Sequence, residues 1–333
     1  MLYCIYKDTT ERMNTMKVDE LLQSDKYDLL CEIANMYYNQ GMTKQEIAAA
    51  YKITRFKVAK LLQEARTDHI VDIKIRYKSM RNKEMEITLM RRYPLKRAVV
   101  VNTQFSPYLD GLEQLGQVGA TYLNKVLTPN SVLGLTWGKT IQSVISQLPQ
   151  IANNPVDTVA LTGRLTLNNA SLETSALMRV VANNYFGASF FMDAPLYVSQ
   201  SKLKDQLFAE PNIVETLKQA QKMSIVLTGI GAATSLSFCK SQFASYITSA
   251  DQKNMASYIG SIFGYILDKD GVIANIPLNK KVIAVPLETI LTTPRRIGVV
   301  YGKHKTLVTA KVLRNEYINE LITDADTART LLE

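Results

Sequence analysis

The sequence predicts an α/β protein of two parts: a small N-terminal helical helix-turn-helix domain and a larger α/β domain with a mostly parallel sheet. Three observations carry this. Between Tyr27 and Arg66, apolar residues recur at the three-and-four spacing of helices, interrupted by capping residues. Beyond Arg97, short apolar runs rich in β-branched residues alternate with helical stretches, the pattern of strands joined by helical crossovers. A chain of 333 residues with 47% hydrophobic content is long enough for two domains and can fill a core in each.

Residues 1–24 show no periodicity and read as a disordered extension; Met13 and Met16 leave the true start open. Residues 25–76 form the helical domain. Its first helix places Leu29, Leu30, Ile33, Ala34, Tyr37 and Tyr38 on one face and ends at Gly41, where glycine tolerates a left-handed backbone. Thr43 with Glu46 is a capping-box pattern opening the second helix, which packs through Ile47, Ala48 and Tyr51. Thr54 caps a third helix reaching about Arg66, with Val58, Leu61 and Leu62 inward and Arg55, Lys57 and Lys60 outward. Ile70 to Ile75 alternates like a strand. Residues 77–96 read as a linker that includes a short helix, Lys83 to Arg92, ended by Pro94.

The larger domain, 97–333, offers strands at Ala98–Val101, Val132–Leu135, Thr158–Leu161, Ser189–Met192, Ser224–Leu227, Val282–Val285, Ile297–Val300 and Glu320–Thr323. Helical patterns lie between most of them, at Leu112–Leu127, Thr140–Leu148, Leu172–Phe186, Lys303–Leu313 and Ala325–Leu332. No internal repeat or low-complexity segment interrupts them.

Composition excludes several functions. No apolar run approaches the ~20 residues that span a bilayer, and Met1 to Asp8 lacks the apolar core of a signal peptide, so a cytoplasmic protein with no membrane partner is expected. Cys4, Cys31 and Cys239 are widely spaced, with Cys31 inside an apolar pattern as a core residue. With His69 and His304 the only histidines, a zinc site or a Ser-His-Asp triad is poorly supplied, and no cofactor is called for. The formal charge of +9 suits a polyanion. Between Thr67 and Arg97 nine basic residues stand against four acidic ones, beside the helical domain.

The segment from Thr43 to Leu62 carries the most specific signal. A helix-turn-helix needs small residues where its two helices touch, which Ala48 and Ala49 supply, and apolar pins, here Ile53 and Val58. It also needs polar groups at the N-terminal end of the second helix, which enters the major groove of double-stranded DNA. Thr54, Arg55, Lys57 and Lys60 meet that demand. Arg55 can donate twice to a guanine edge and Lys60 can meet phosphate, while Thr43 and Gln45 can hold phosphates from the supporting helix. Phe56 reads either as a contact to a thymine methyl or as a half-buried helix-start residue, and the second is preferred.

In the larger domain, Gly134-Leu-Thr-Trp-Gly-Lys-Thr140 follows a strand and leads into a helix, a place where backbone N–H groups favour an anion; Thr136, Lys139 and Thr140 add hydroxyls and a charge. It lacks the spacing of a Walker A loop. Gly229-Ile-Gly231, after another strand, is a weaker candidate of the same kind. Trp137, the single tryptophan, is either core or a ligand contact.

At this point the chain resembles the SorC family of sugar-responsive bacterial regulators, over roughly Tyr27 to Leu332. The resemblance is carried by Gly41–Leu62, Val132–Thr140, Thr158–Arg164, Ala194-Pro-Leu, Leu227–Gly231, Gly260–Gly271 and Pro294–Leu331, and above all by the closing Tyr317-Ile-Asn-Glu-Leu-Ile-Thr-Asp-Ala-Asp-Thr-Ala-Arg. It implies an effector-binding and oligomerisation domain with the fold of ribose-phosphate isomerase and glucosamine-phosphate deaminase, binding a phosphorylated sugar or polyol, in a homodimer or homotetramer on operator DNA. By that analogy Thr136, Gly138, Lys139 and Thr140 bind the phosphate. Thr162, Gly163 and Arg164 line the pocket with Gly229, Gly231 and Ser261, and Lys305 closes it with a charge.

This sequence departs from the family pattern at four places. Ser261 stands where an acidic residue is usual, and a serine cannot replace both hydrogen bonds that a carboxylate accepts. Asn315-Glu316 replaces a glycine pair, Tyr301 replaces a glycine, and Arg164 replaces another, either adding a phosphate contact or filling the pocket. Two other readings stay open: a regulator with a vestigial pocket and a protein partner, and a sugar-phosphate isomerase or deaminase. Catalysis needs a positioned acid and base, and the candidate loops hold no acidic residue except Asp193, which reads as a turn residue beside Ala194-Pro195.

Overall fold

The computed structural model describes residues 26–71, 81–103, 107–151, 153–165, 169–234, 246–247 and 257–333. The chain divides into two compact units, residues 1–77 and 78–333.

In the smaller unit, α1 (Lys26–Tyr38), α2 (Lys44–Ala50) and α3 (Arg55–Thr67) enclose a core of Leu29, Leu30, Ile33, Ala34, Ile47, Ala48, Tyr51, Val58, Leu61, Leu62 and Ala65. Gly41 takes φ +71° after α1, the left-handed conformation that lets the chain turn into α2. Thr43 makes the full capping box: its N–H donates to Glu46 Oε2 at 2.8 Å, and the Glu46 N–H donates to Thr43 Oγ1 at 3.2 Å. The turn at Lys52 has φ 51° and closes as the Ile53 N–H donates to the Ala48 carbonyl at 3.0 Å. Thr54 Oγ1 accepts from the Lys57 N–H at 3.2 Å and fixes where α3 starts. Two side chains expected inside lie outside: Tyr38 and Ala49 are exposed, so Ala48 alone supplies the small buried residue of α2. Cys31 is half-buried rather than core. Ile70 and Val71 pack on this core without forming a strand; the rest of the strand expected at Ile70–Ile75 lies outside the described residues.

The larger unit is a doubly wound sheet. Its strands are β1 (Arg97–Val101), β2 (Ser131–Leu135), β3 (Val156–Ala160), β4 (Ser189–Phe190), β5 (Ile225–Gly229), β9 (Arg295–Val300) and β10 (Glu320–Asp324), all parallel, in the order β1-β10-β9-β5-β2-β3-β4. The central strands are buried along their length, as expected of a parallel sheet covered on both faces. Around it lie α4 (Lys83–Arg92), α5 (Tyr108–Val126), α6 (Lys139–Ile145), α7 (Thr174–Tyr185), α8 (Ser201–Leu207), α9 (Pro211–Ala220), α10 (Pro277–Lys280), α11 (Leu287–Thr292), α12 (Thr306–Arg314) and α13 (Ala325–Leu332). A separate antiparallel sheet joins β6 (Gly231–Ala232), β7 (Gly260–Ile262) and β8 (Tyr265–Leu267).

Several sequence expectations are corrected here. Val282–Val285 is not a strand of the main sheet. It runs antiparallel beside the continuation of β3, with Thr162 bridged to Ala284 and the Val285 N–H donating to the Leu161 carbonyl at 2.8 Å. Ser189–Met192 pairs only through Ser189 and Phe190. The helices expected to open at Leu172 and Lys303 begin as single 3₁₀ turns, Ala170–Leu172 and Lys303–Lys305. In the segment read as a linker, α4 is packed against β1. Glu86, 4% exposed, takes a bidentate hydrogen bond from Arg81 at 2.7 and 2.8 Å and accepts from the Val100 N–H at 3.2 Å, while Leu89 is fully buried.

Close approach of α5 to α6 depends on glycine. A Cβ at Gly116 would overlap the backbone carbonyl of Ser143, and one at Gly119 would meet a Val144 methyl at 2.7 Å. Gly116→Ala is expected to cost about 1–3 kcal/mol, because backbone must move. Gly119→Ala should cost less, since a side chain can yield. Thermal unfolding of the two variants measures the order.

Candidate functional site

In the smaller unit, the start of α3 presents Thr54, Arg55, Phe56 and Lys60 to solvent, with Lys57 half-buried. Phe56 is 88% exposed, which overturns the preferred reading of a half-buried helix-start residue. Its position follows from helix geometry: Val58, Leu61, Leu62 and Ala65 face the core, and Phe56 lies on the opposite side. Thr43 and Gln45 are exposed at the start of α2. Together with Tyr37, Tyr38, Gly41, Met42, Lys44 and Arg55 they line a shallow groove, where the Lys44 ammonium sits 5.6 Å from the Tyr37 ring centre. No acidic residue lies in the first turn of α3. This is a positively charged surface at the N-terminal end of the second helix of a helix-turn-helix.

In the larger unit the sheet order marks where a candidate cleft lies. From β2 the chain crosses to β3 on one side, and from β5 it proceeds to β9 on the other, although β2 and β5 are neighbours. Connections that leave in opposite directions open a crevice at the carboxyl ends of the two strands. Both glycine-bearing loops singled out in the sequence lie at that switch point. Thr136 Oγ1 donates to Thr228 Oγ1 at 3.2 Å and accepts from the Gly229 N–H at 3.3 Å, so hydroxyls tie the two loops together. Gly229 lies beside Thr140 and the Trp137 carbonyl; a Cβ there would make ordinary contacts of 3.5 and 3.6 Å. Gly138 has φ +117° with open space around it, and its N–H donates to the Leu172 carbonyl at 3.1 Å. Thr136 and Thr140 are buried, Gly138 is half-buried and Lys139 is exposed at the rim. Trp137 is half-buried against the cluster formed by Leu196, Tyr197, Tyr258 and Ile266.

The other expected residues fall around this loop pair. Gly231 pairs with Ser261 across β6 and β7, and a Cβ on Gly231 would crowd Ser261 Oγ at 2.6 Å. Thr162 and the buried Gly163 continue β3 beyond the sheet. Thr162 packs near the β7–β8 turn, and its buried hydroxyl has no hydrogen-bond partner among the described residues. That turn, Phe263-Gly264, has φ of 52° and 85°, the two positive values of a type I′ hairpin. Arg164 is exposed, so it does not fill a pocket. Lys305 follows β9 in a 3₁₀ turn that lies against β6. It is half-buried and makes no ion pair among the described residues, and burial pushes its ammonium down to about 8, with Asp324 acting the other way. Burial, with the charge of Lys305, also holds His304 below the usual imidazole value.

Sequence reasoning missed Asp324, Thr228, Thr309 and Thr323. Asp324 is 2% exposed; it accepts from the Gly302 N–H at 2.8 Å and from the Thr327 N–H and hydroxyl at 2.9 and 2.7 Å. Asp-x-x-Thr at the head of a helix is a capping pattern, so this residue was discoverable. Thr309 and Thr323 have buried hydroxyls without partners among the described residues, and an apolar run with single threonines gives no sign of that. The departure at Asn315-Glu316 is located at the C-terminal end of α12, while Lys305 precedes its first residue. Glu316 adopts the left-handed φ of 56° that a glycine would take freely, and Asn315 caps the helix. This departure therefore changes a helix end and not the cleft. Tyr301 is buried with its ring 5.0 Å from that of Tyr108, and its hydroxyl occupies the space beside Gly111. Asp193 is exposed and hydrogen-bonded to the Asn212 amide at 3.5 Å. No cluster of His, Cys, Asp and Glu able to hold a metal occurs among the described residues, and no described helix is long and apolar enough to cross a membrane.

A helix-turn-helix unit joined in one chain to a doubly wound domain with a cleft at its switch point defines a ligand-responsive transcriptional regulator. Residues 77–333 match the sugar-binding domain family Sugar-bind, and the chain belongs to that family as a SorC-type regulator. It is 24% identical over 319 residues to the sorbitol operon regulator of Klebsiella pneumoniae, covering 93% of this chain and 99% of the relative. It is 27% identical over 307 residues to the transcriptional regulator LsrR of Escherichia coli, covering 91% and 94%. The crystal structure of the full-length sorbitol operon regulator SorC superposes with a TM-score of 0.70 at 25% identity, over 93% of this chain and 100% of that one. A DeoR family transcriptional regulator from Listeria monocytogenes shares the fold of the larger unit, with a TM-score of 0.66 over 74% of this chain and 98% of that one. The relatives are regulators, and this chain is a sugar-responsive transcriptional regulator, not an enzyme.

Lys305 has a measurable signature. Its ammonium titrates near 8 in the folded chain and near 10.5 unfolded, so the cost of its buried charge is fully present below pH 8 and is relieved as pH rises from 8 to 10.5. Without ligand, Lys305→Met is expected to raise stability at pH 7 by about 1–2 kcal/mol, less than the full shift because the side chain keeps some contact with water. It should also abolish the wild type's gain in stability between pH 8 and 10. Denaturant unfolding at pH 7 and 9.5 reads both effects.

Proposed function

We propose that this regulator controls a carbohydrate or polyol utilisation operon and is switched by a small phosphorylated sugar or polyol bound between the ends of β2 and β5. The observation that carries the reading is Lys305. A partly desolvated lysine is costly, and Asp324, the carboxylate whose charge acts on it, already accepts three hydrogen bonds from Gly302 and Thr327. An anionic group entering the cleft would supply the missing counter-charge. Thr136, Gly138, Lys139 and Thr140 hold the phosphate from one side. Gly229, Gly231 and Ser261 let the sugar approach backbone, Thr162 and Gly163 line the β3 side, and Arg164 reaches from the rim.

In this reading the protein acts in the cytoplasm as a homodimer or homotetramer on double-stranded operator DNA. Arg55, Phe56, Lys57 and Lys60 of α3, with Thr54 at its cap, enter the major groove, and Thr43 and Gln45 meet phosphate. Ligand favours one of two arrangements of the oligomer, and only one spaces the α3 pairs for a palindromic site.

Trp137 is the only tryptophan and lies in the loop that would hold the phosphate, so its fluorescence with a thermal-shift screen tests the proposal directly. A phosphorylated sugar or polyol should move both signals where its unphosphorylated parent does not; a response indifferent to the phosphate would sink the assignment. Lys139→Ala should weaken the ligand's influence while leaving DNA binding intact. Arg55→Ala should weaken specific operator binding by about 1–3 kcal/mol with the fold unchanged, as measured by fluorescence anisotropy on labelled duplex.

A further inference from the structure

Phe56 is an anomaly on the smaller unit. A phenylalanine ring is among the side chains that gain most from leaving water, yet this one is 88% exposed at the second residue of α3. Its direction is set by the rest of the helix. Thr54 fixes the helix start, and Val58, Leu61, Leu62 and Ala65 hold the opposite face in the core. On the exposed side, Phe56, Lys60 and Gln63 follow one another at the four-and-three spacing of a single stripe, beside exposed Arg55. The ring is the lone large apolar group among the exposed residues of α3, which are otherwise Arg55, Lys60, Gln63, Arg66 and Thr67; the half-buried Glu64 is paired with Lys26.

A surface of that composition asks for a partner that is anionic overall and presents isolated apolar groups. A protein-binding or membrane-binding face would gather several apolar side chains, and this stripe gathers one. The major groove of a DNA duplex has the required chemistry. It is walled by phosphates, its base edges accept from arginine and lysine, and its one apolar feature is the C5 methyl of thymine.

We propose that Phe56 is a specificity-determining residue that reads the methyl group of one thymine in each half-site. The proposal rests on α3 being the recognition helix and adds which base, and which atom of it, the aromatic ring selects. Arg55 and Lys60 supply hydrogen bonds and charge on either side, and Phe56 supplies discrimination that neither can.

The test uses the full chain and removes only the methyl. Duplexes enriched by the wild-type protein from a randomised library are remade with each thymine replaced singly by deoxyuridine. Affinities are then measured for wild type, Phe56→Ala, Phe56→Leu and Arg55→Ala. The wild type should lose about fourfold at one thymine per half-site, the value of one buried methyl. Phe56→Ala should bind the two duplexes equally at that position, Phe56→Leu should fall between, and Arg55→Ala should keep the methyl effect while binding more weakly throughout. Because the side chain is exposed, the melting temperatures of both Phe56 variants should match the wild type. Equal sensitivity to the missing methyl in wild type and Phe56→Ala would overturn the proposal and turn attention to a protein or membrane contact for the ring, while leaving DNA binding in place. Failure of the wild type to enrich any sequence would overturn it together with the DNA-binding reading on which it stands.

Discussion

The larger unit is organised around a reversal. β2 and β5 lie side by side, but the chain leaves them in opposite directions, so no crossover covers the gap between their carboxyl ends. Whatever sits there must be satisfied by the loops themselves. Thr136 and Thr228 answer part of that demand through a hydroxyl pair that also fixes the Gly229 N–H. The direction of every neighbouring element follows from the same reversal. β3 and its extension form one wall, and the turn after β9 forms the other, where the chain brings Lys305 against β6.

Charge is treated differently at the two ends of the sheet. At the amino end of β10, the buried Glu320 accepts from Arg295 Nη1 and from the Tyr122 hydroxyl, both at 2.7 Å, and that contact is complete. At the carboxyl end, Asp324 is occupied by backbone and hydroxyl donors, while Lys305 is left half-buried without an ion pair among the described residues. Among the described residues, the hydroxyls of Thr162 and Thr323, beyond β3 and near the end of β10, are also buried without partners.

The helix-turn-helix was legible because its determinants are local. Capping boxes, a left-handed glycine and a three-and-four spacing all act within a few residues, and Thr43, Glu46, Gly41 and Thr54 do what their spacing implies. Phe56 was misjudged because hydrophobicity was weighed without the helix phase, which Val58 and Leu61 already fixed. The strands of the parallel sheet were readable as continuous apolar runs, and their order was not, because β2 meets β5 only through tertiary pairing. Val282–Val285 has the composition of a strand, yet it pairs with the extension of β3 outside the sheet; composition does not encode a partner. The short antiparallel strands β6 to β8 are two or three residues each and leave no periodic trace. In the cleft, the glycine loops carried a signal, while the state of Lys305 depends on burial by residues distant in sequence.

Tyr301 and Gly111 illustrate a constraint on how such a chain can change. The tyrosine hydroxyl fills the volume that a Cβ on Gly111 would need. Neither residue can acquire its present partner's bulk on its own: a side chain at 111 is blocked while the ring is there, and loss of the ring leaves a hollow beneath α5. The two positions are locked into a shared volume, so a larger residue at 111 requires a smaller one at 301. Any grafting of this domain's cleft onto a relative has to carry the pair across as one unit.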